Sequence, residues 1–260
     1  MNIKSFQKYI SLSESETRIA GLKTGRTDLI PLLDEKKLYS EIKKGKYDFV
    51  RVKILSEDVQ LFQKLQLINI PFYIYNIQSR NVKFIGKEDG KLCISPEIQY
   101  EILSKKHKSF LKKLIAETIK NDSGLNYRID LFLKFFPEKK IVESATEYAA
   151  AFFNSNDENK IGWVIKYKNK CIGFCICRYE KNNMEGLLYG ISKQFQGRGF
   201  SRDLIKIVKK FCFENNIQTL SNNVVIHNQK SLKSMIREGV VPQKLYFNIF
   251  LFPLLSFKRK

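Results

Sequence analysis

An apolar strand that runs into two closely spaced glycines and then straight into an amphipathic helix occupies residues 187–208 of this chain, LLYGISKQFQGRGFSRDLIKIV. Few folds accept that order. Gly197 and Gly199 let the backbone bend and approach a ligand where a side chain would collide. The helix that starts behind them leaves its first-turn amides unpaired, and its dipole favours negative charge at that end. The segment reads as a backbone cradle for a phosphate group, and the chain as a binder of a phosphorylated cofactor.

The surrounding sequence supplies a sheet for this unit. Residues 162–167, GWVIKY, and 171–179, CIGFCICRY, are joined by a KNK turn and predict an antiparallel hairpin, and Gly186–Ile191 predicts a third strand. After the glycines, Phe200, Leu204, Val208 and Phe211 share one helical stripe, with Lys206, Lys209 and Lys210 largely away from it. A strand within 218–226, a helix over about 229–238 closed by Gly239, and an apolar final strand, KLYFNIFLF, follow. Upstream the pattern predicts a short strand near 92–95, a long helix from about 97 to 119, a loop at 121–130 and a further helix around 140–153. Nearer the start, DFVRVKI at 48–54 and PFYIYNI at 71–77 flank a helix capped by Ser56 and carrying Val59, Phe62, Leu65 and Ile68. This is a β-α-β unit, whose crossover suits parallel pairing. Charge and glycine at 78–91 mark a boundary between a small lobe, 1–90, and a main domain, 91–260.

Composition narrows the class. The 260 residues are 43% apolar and 28% charged, ordinary values for a soluble globular protein. The chain starts without the apolar stretch of a secretory signal and lacks a run long enough to span a bilayer, so a cytoplasmic protein is the expectation. Five cysteines, two of them at strand spacing, predict reduced, mostly buried thiols and no metal site. The net charge of +20, most of it beyond residue 95, favours anionic partners such as nucleotides, nucleic acid or an acidic membrane face. The chain carries no recognition-helix motif and no aromatic-interleaved basic stripe, which argues against specific nucleic-acid binding.

Over about residues 92–255 the order of elements resembles the GCN5-related N-acetyltransferase (GNAT) family, which implies an α/β fold with a mixed, mostly antiparallel central sheet flanked by helices, here preceded by the small β-α-β lobe. The family's acyl-CoA loop has Gln or Arg, two residues, Gly, one residue, then Gly or Ala, and a leucine three residues later. Gln196, Gly199, Ser201 and Leu204 fit that register, with Ser201 in place of the usual Gly or Ala; a rival register, Gln194, Gly197 and Gly199, has no leucine where one belongs. The resemblance implies acetyl-CoA as cofactor, held by Gln196, Gly197, Arg198, Gly199, Phe200 and Ser201. It implies further that Asn228 and Ser231 face the pantetheine arm, and that backbone amides at Tyr189, Gly190 and Ile191 polarise the thioester carbonyl. Tyr246, seven residues beyond Gly239, falls where many members place the tyrosine that protonates the leaving thiolate, and Glu185 falls where some keep a base. Of the two histidines, His107 in the KKHK run reads as a solvated helical residue and His227 as a loop residue, so neither has the setting of a triad and direct transfer is expected.

The N-terminal β-α-β unit is similar to the partial lobe preceding the catalytic lobe in TDP-fucosamine acetyltransferase and related nucleotide-sugar N-acetyltransferases. That similarity implies an acceptor amine on a dTDP- or UDP-linked deoxyamino sugar, in surface polysaccharide biosynthesis, with Ser123, Asn126, Tyr127 and Arg128 lining its pocket. A GNAT enzyme acting on a protein, peptide or small-molecule amine is the alternative, and a non-enzymatic nucleic-acid or membrane-surface protein the second. A homodimer is compatible with either enzyme reading, and oligomeric state is open.

Overall fold

In the computed structural model, the described residues are 10–13, 17, 23–28, 34–58, 60, 63–65, 72–87, 92–121, 138–153, 159–226 and 228–251. They fall into two compact units: residues up to Gln78 together with 244–251, and residues from Ser79 to Gln243.

The first unit begins with β1 (Ser11–Leu12) and β2 (Thr24–Asp28), followed by helix α1 (Glu35–Gly45), β3 (Phe49–Leu55) and the start of β4 (Phe72–Phe84). Asp34 starts α1 by accepting the Lys37 N–H at 3.0 Å, and Lys46, at φ 47°, ends it. Strand β3 alternates as its sequence demands: Val50, Val52 and Ile54 are buried against Leu38 and Ile42 of α1, while Arg51 and Lys53 lie on the other face. Its neighbours are β2, paired in parallel, and the strand that holds residues 246–251, paired antiparallel from Tyr246↔Leu55 to Leu251↔Val50. That strand stands between β3 and β4, so the direct parallel pairing expected of these two is not formed. Ser56 lies in a turn and donates its N–H to the Leu245 carbonyl at 3.0 Å; the helix expected behind it falls mostly outside the described residues.

The second unit contains β5 (Ile98–Ile102), a 3-10 turn at Lys105–His107, α2 (Lys108–Asn121), α3 (Glu138–Ala150), β6 (Lys160–Tyr167), β7 (Lys170–Glu180), β8 (Asn183–Ile191), a 3-10 turn at Lys193–Phe195, α4 (Phe200–Glu214), β9 (Thr219–Val225) and α5 (Gln229–Arg237); β10 (Val241–Leu251) then carries the chain back into the first unit. Strand order is β9-β8-β7-β6-β5, antiparallel throughout except β8 with β9. Lys168 and Asn169, both in the left-handed region, make the two-residue turn of the β6–β7 hairpin. The apolar run CIGFCIC is buried on both faces. Cys175 and Cys177 pack with Leu204, Val208 and Cys212 of α4, while Phe174 and Ile176 pack with Leu111, Leu114 and Val142 of α2 and α3. All five cysteines are free thiols, three of them buried.

Four local expectations differ from what forms. No strand forms at 92–95, and the helix expected from residue 97 begins only at Lys108, because Ile98–Ile102 pairs with β6 as an edge strand. Lys209 is not on the solvent face of α4 but buried, its Nζ donating to the Glu238 carbonyl at 3.4 Å. His107 is not solvated either: it is 4% exposed, takes the Ser104 N–H on Nδ1 at 3.0 Å, and meets Glu101 through Nε2 at 2.8 Å. The ring thereby closes a capping box at the start of the 3-10 turn, and its acceptor nitrogen is occupied by a backbone amide rather than offered to a nucleophile. Among the described residues no helix is long and apolar enough to cross a membrane.

Candidate functional site

Strand β8 sets the geometry. Its pairing with β7 shifts between Ile176↔Leu188 and Cys177↔Gly186, which leaves Leu187 as an extra residue, a β-bulge of the kind that redirects a strand beside a site. Its parallel pairing with β9 stops at Gly186↔Asn222, although β8 continues to Ile191 and β9 to Val225. The two strands therefore part at the bulge. In an antiparallel ladder alternate residues direct their amides to opposite edges. Along 187–191 half of the amides consequently point to the edge that β9 has left. The stretch holds Tyr189, Gly190 and Ile191, the residues expected to polarise a carbonyl.

The apex of this parting is tightly built. Asn222 Nδ2 donates to the Gly186 carbonyl at 3.2 Å, and a Cβ on Gly186 would lie 2.0 Å from that nitrogen and 2.5 Å from Tyr189 Oη, so only glycine fits. Tyr189 Oη also lies 3.8 Å from Cys177 Sγ, and burial pushes both groups well above their ordinary pKa values. Both stay protonated at neutral pH. The side-chain oxygens of Asn222 and Asn223 are buried without a partner among the described residues. On the other face of the strand, Glu185 receives Arg178 at 2.8 Å on one carboxylate oxygen and Asn223 Nδ2 at 3.1 Å on the other.

Beyond β8 the loop is held by polar contacts at its root. The Lys193 N–H donates to Glu117 Oε1 of α2 at 3.1 Å, and Gln196 Nε2 donates back to the Ile191 carbonyl at 3.0 Å. Gln196 thus braces the loop against the strand end. Gly197 at φ +81° and Gly199 at φ +89° take left-handed conformations that disfavour a side chain, and a Cβ on either would meet no described atom within 4 Å. Gly199 is the N-cap of α4 and supplies no side-chain cap, so the first amides of the helix, from Phe200 and Ser201, remain for an anion. Arg198 stands 5.6 Å from the Phe195 ring centroid, with Lys170 at 5.9 Å. The only acid of the first turn, Asp203, is 2% exposed and engaged by the N–H and hydroxyl of Ser95, at 3.1 and 2.9 Å. Open space, bare amides and flanking cations fit a phosphate-bearing cofactor.

The remaining expected residues lie as follows. Asn228 is the N-cap of α5, its Oδ1 accepting the Ser231 N–H at 3.1 Å, and Gly239, at φ +77°, follows the end of that helix. The Ser201 hydroxyl is 3.0 Å from that of Ser234 on α5. Tyr246 belongs to the first unit, on β10; it is 4% exposed, and Lys53 Nζ sits 4.3 Å from its ring centroid. Ser123, Asn126, Tyr127, Arg128 and His227 lie outside the described residues. Sequence reasoning missed Gly186 and Asn222 at the apex. A lone glycine inside a strand was the available signal for the first; nothing marked the second.

Comparison with known proteins adds three findings. Residues 126–235 match the model of the acetyltransferase (GNAT) family. No curated protein matches the chain. Among solved structures it is similar to a GCN5-related N-acetyltransferase from Kribbella flavida, with TM-score 0.60 and 10% identity over 89% of this chain and 81% of that one. It is also similar to a conserved protein of unknown function from Staphylococcus epidermidis, with TM-score 0.57 and 12% identity over 89% and 85%. A tandem GNAT protein from the clavulanic acid biosynthesis pathway gives TM-score 0.57 and 6% identity over 87% and 74%. At these identities the likeness is one of fold.

Proposed function

We propose that the protein, whose residues 126–235 match the model of the acetyltransferase (GNAT) family, is an acyl-CoA-dependent acetyltransferase that acetylates the amine of a nucleotide-linked deoxyamino sugar, dTDP- or UDP-bound, for surface polysaccharide. Acetyl transfer from acetyl-CoA to an amine is the reaction of that family. The observation that carries the cofactor assignment is the uncapped start of α4 behind two left-handed glycines, set where β8 and β9 part.

In this reading the amides from Gly197 to Ser201 take the diphosphate, with the Arg198 cation beside them and Gln196 bracing the loop. Asn228 and Ser231 sit along the pantetheine arm. Acetyl-CoA, when bound, supplies an activated acetyl thioester. Amides of Tyr189, Gly190 and Ile191 that point into the parting polarise the acyl carbonyl, since donors fixed by a sheet need no reorganisation as charge develops. Glu185 takes the proton of the acceptor amine, either directly or through water. Tyr246 delivers a proton to the departing sulfur, a role read from its place seven residues after Gly239. Ser123, Asn126, Tyr127 and Arg128 contact the acceptor. The sugar reading is supported by the sequences of residues 48–77 and 121–130, and the division into a lobe of residues 1–90 and a catalytic domain of 91–260 belongs to the same proposal.

The test is release of free CoA from acetyl-CoA by the purified protein across a panel of dTDP- and UDP-amino sugars. Turnover with at least one sugar supports the reading; turnover with peptides or simple amines and with no sugar would sink the acceptor class while leaving the acetyltransferase intact.

A further inference from the structure

We infer that Glu238 is a positioning residue for the acyl-CoA loop, seating the first turn of α4 against α5; the inference rests on the acetyl-CoA reading above. The Glu238 side chain is 5% exposed and lies just past the end of α5. Its Oε1 accepts Arg202 Nε at 2.7 Å, its Oε2 lies 3.9 Å from Lys209 Nζ, and its backbone carbonyl accepts the same ammonium at 3.4 Å. Arg202 and Lys209 are two helical turns apart and therefore share a face of α4. One buried carboxylate thus grips both turns.

The grip reaches the loop itself. Arg202 lies in the first turn of α4, where its N–H closes on the Gly199 carbonyl at 2.8 Å. The neighbouring residue, Ser201, is tied to the same helix through Ser234, hydroxyl to hydroxyl at 3.0 Å. At its other end α5 starts from the Asn228 cap and Ser231. A single nine-residue helix accordingly joins both segments assigned to the cofactor. No side chain caps α4, so the direction of its first amides depends on how the helix is seated. A cradle of backbone amides holds a phosphate only while they converge on one point, so a shift of the helix start weakens its grip on the cofactor.

Calorimetric titration of the full chain with CoA, with steady-state kinetics beside it, tests this. Glu238→Gln keeps the shape and removes the charge that holds two cations; it is expected to weaken CoA binding roughly tenfold and to raise KM for acetyl-CoA, leaving kcat at saturation and KM for the amine unchanged. Ser234→Ala, which deletes one hydroxyl contact, should move CoA affinity in the same direction by a smaller factor. A purely structural carboxylate would instead lower the melting temperature and leave CoA affinity as it was, and that result in a folded Glu238→Gln protein overturns the inference. If that variant does not fold, unchanged CoA affinity in Ser234→Ala overturns it. Failure of the wild-type chain to bind CoA at all removes the acetyl-CoA reading, and the inference with it.

Discussion

At the scale of single residues, Gly199 concentrates the argument. At φ +89° it precedes α4 with no side chain of its own, and an alanine there would stand in open space yet in a strained backbone. Strain of that kind costs about 1–3 kcal/mol. Gly199→Ala should therefore lower CoA affinity by about tenfold or more with little change in melting temperature if the loop relaxes out of shape, as paired calorimetry and thermal melts would read. Gly186→Ala acts the other way: its Cβ would collide with Asn222 and Tyr189, so stability falls, by roughly 1–3 kcal/mol, measured by denaturant unfolding. Tyr246→Phe is expected to reduce kcat while CoA affinity holds, and an unchanged kcat would make that tyrosine a packing residue beneath Lys53. The glycines were legible from sequence because they have few uses in such a place. Lys209 and His107 were not, since each is buried through a partner far along the chain or through a turn that no periodicity announces.

At the scale of elements, β5 shows where pattern reading stops. Ile98, Tyr100 and Ile102 satisfy a two-residue period, but Ile98 and Ile102 also satisfy a helical one, and five residues cannot decide between them. Strand β6 decides, by offering an edge. The sequence then fastens that edge with Glu101, whose carboxylate meets Lys166, His107 and Lys106 and is held down to about 2 by hydrogen bonds from those three. A carboxylate with a depressed folded-state pKa stabilises the fold above its unfolded value, near 4.3, and loses that contribution as pH falls toward 2. With this side chain 30% exposed, the expected difference between wild type and Glu101→Gln is about 1 kcal/mol at pH 7, shrinking as pH drops below about 4. Unfolding at stepped pH checks it: a difference that grows in acid contradicts the assignment. The β6–β7 hairpin, by contrast, was readable in advance, because KNK supplies left-handed turn residues between two apolar runs.

At the scale of the whole molecule, ligand linkage gives the broadest check. If the chain binds CoA in its folded state alone, its melting temperature must climb with CoA concentration, equivalent to about 2.7 kcal/mol at a hundredfold excess over the dissociation constant. A melting temperature indifferent to CoA would contradict the cofactor assignment. The order of strands, bend and helices in the second unit could be read along the sequence because each piece is local. The partners of β3 could not. Its register with β10 joins Val50 to Leu251 and Leu55 to Tyr246, a pairing across most of the chain that no window of sequence contains. That same register dictates an order of events during synthesis. Residues 50–55 emerge from the ribosome early and face an unfilled edge until residues 246–251 exist. The first unit therefore stays open along this edge of β3 until residues 246–251 have been made.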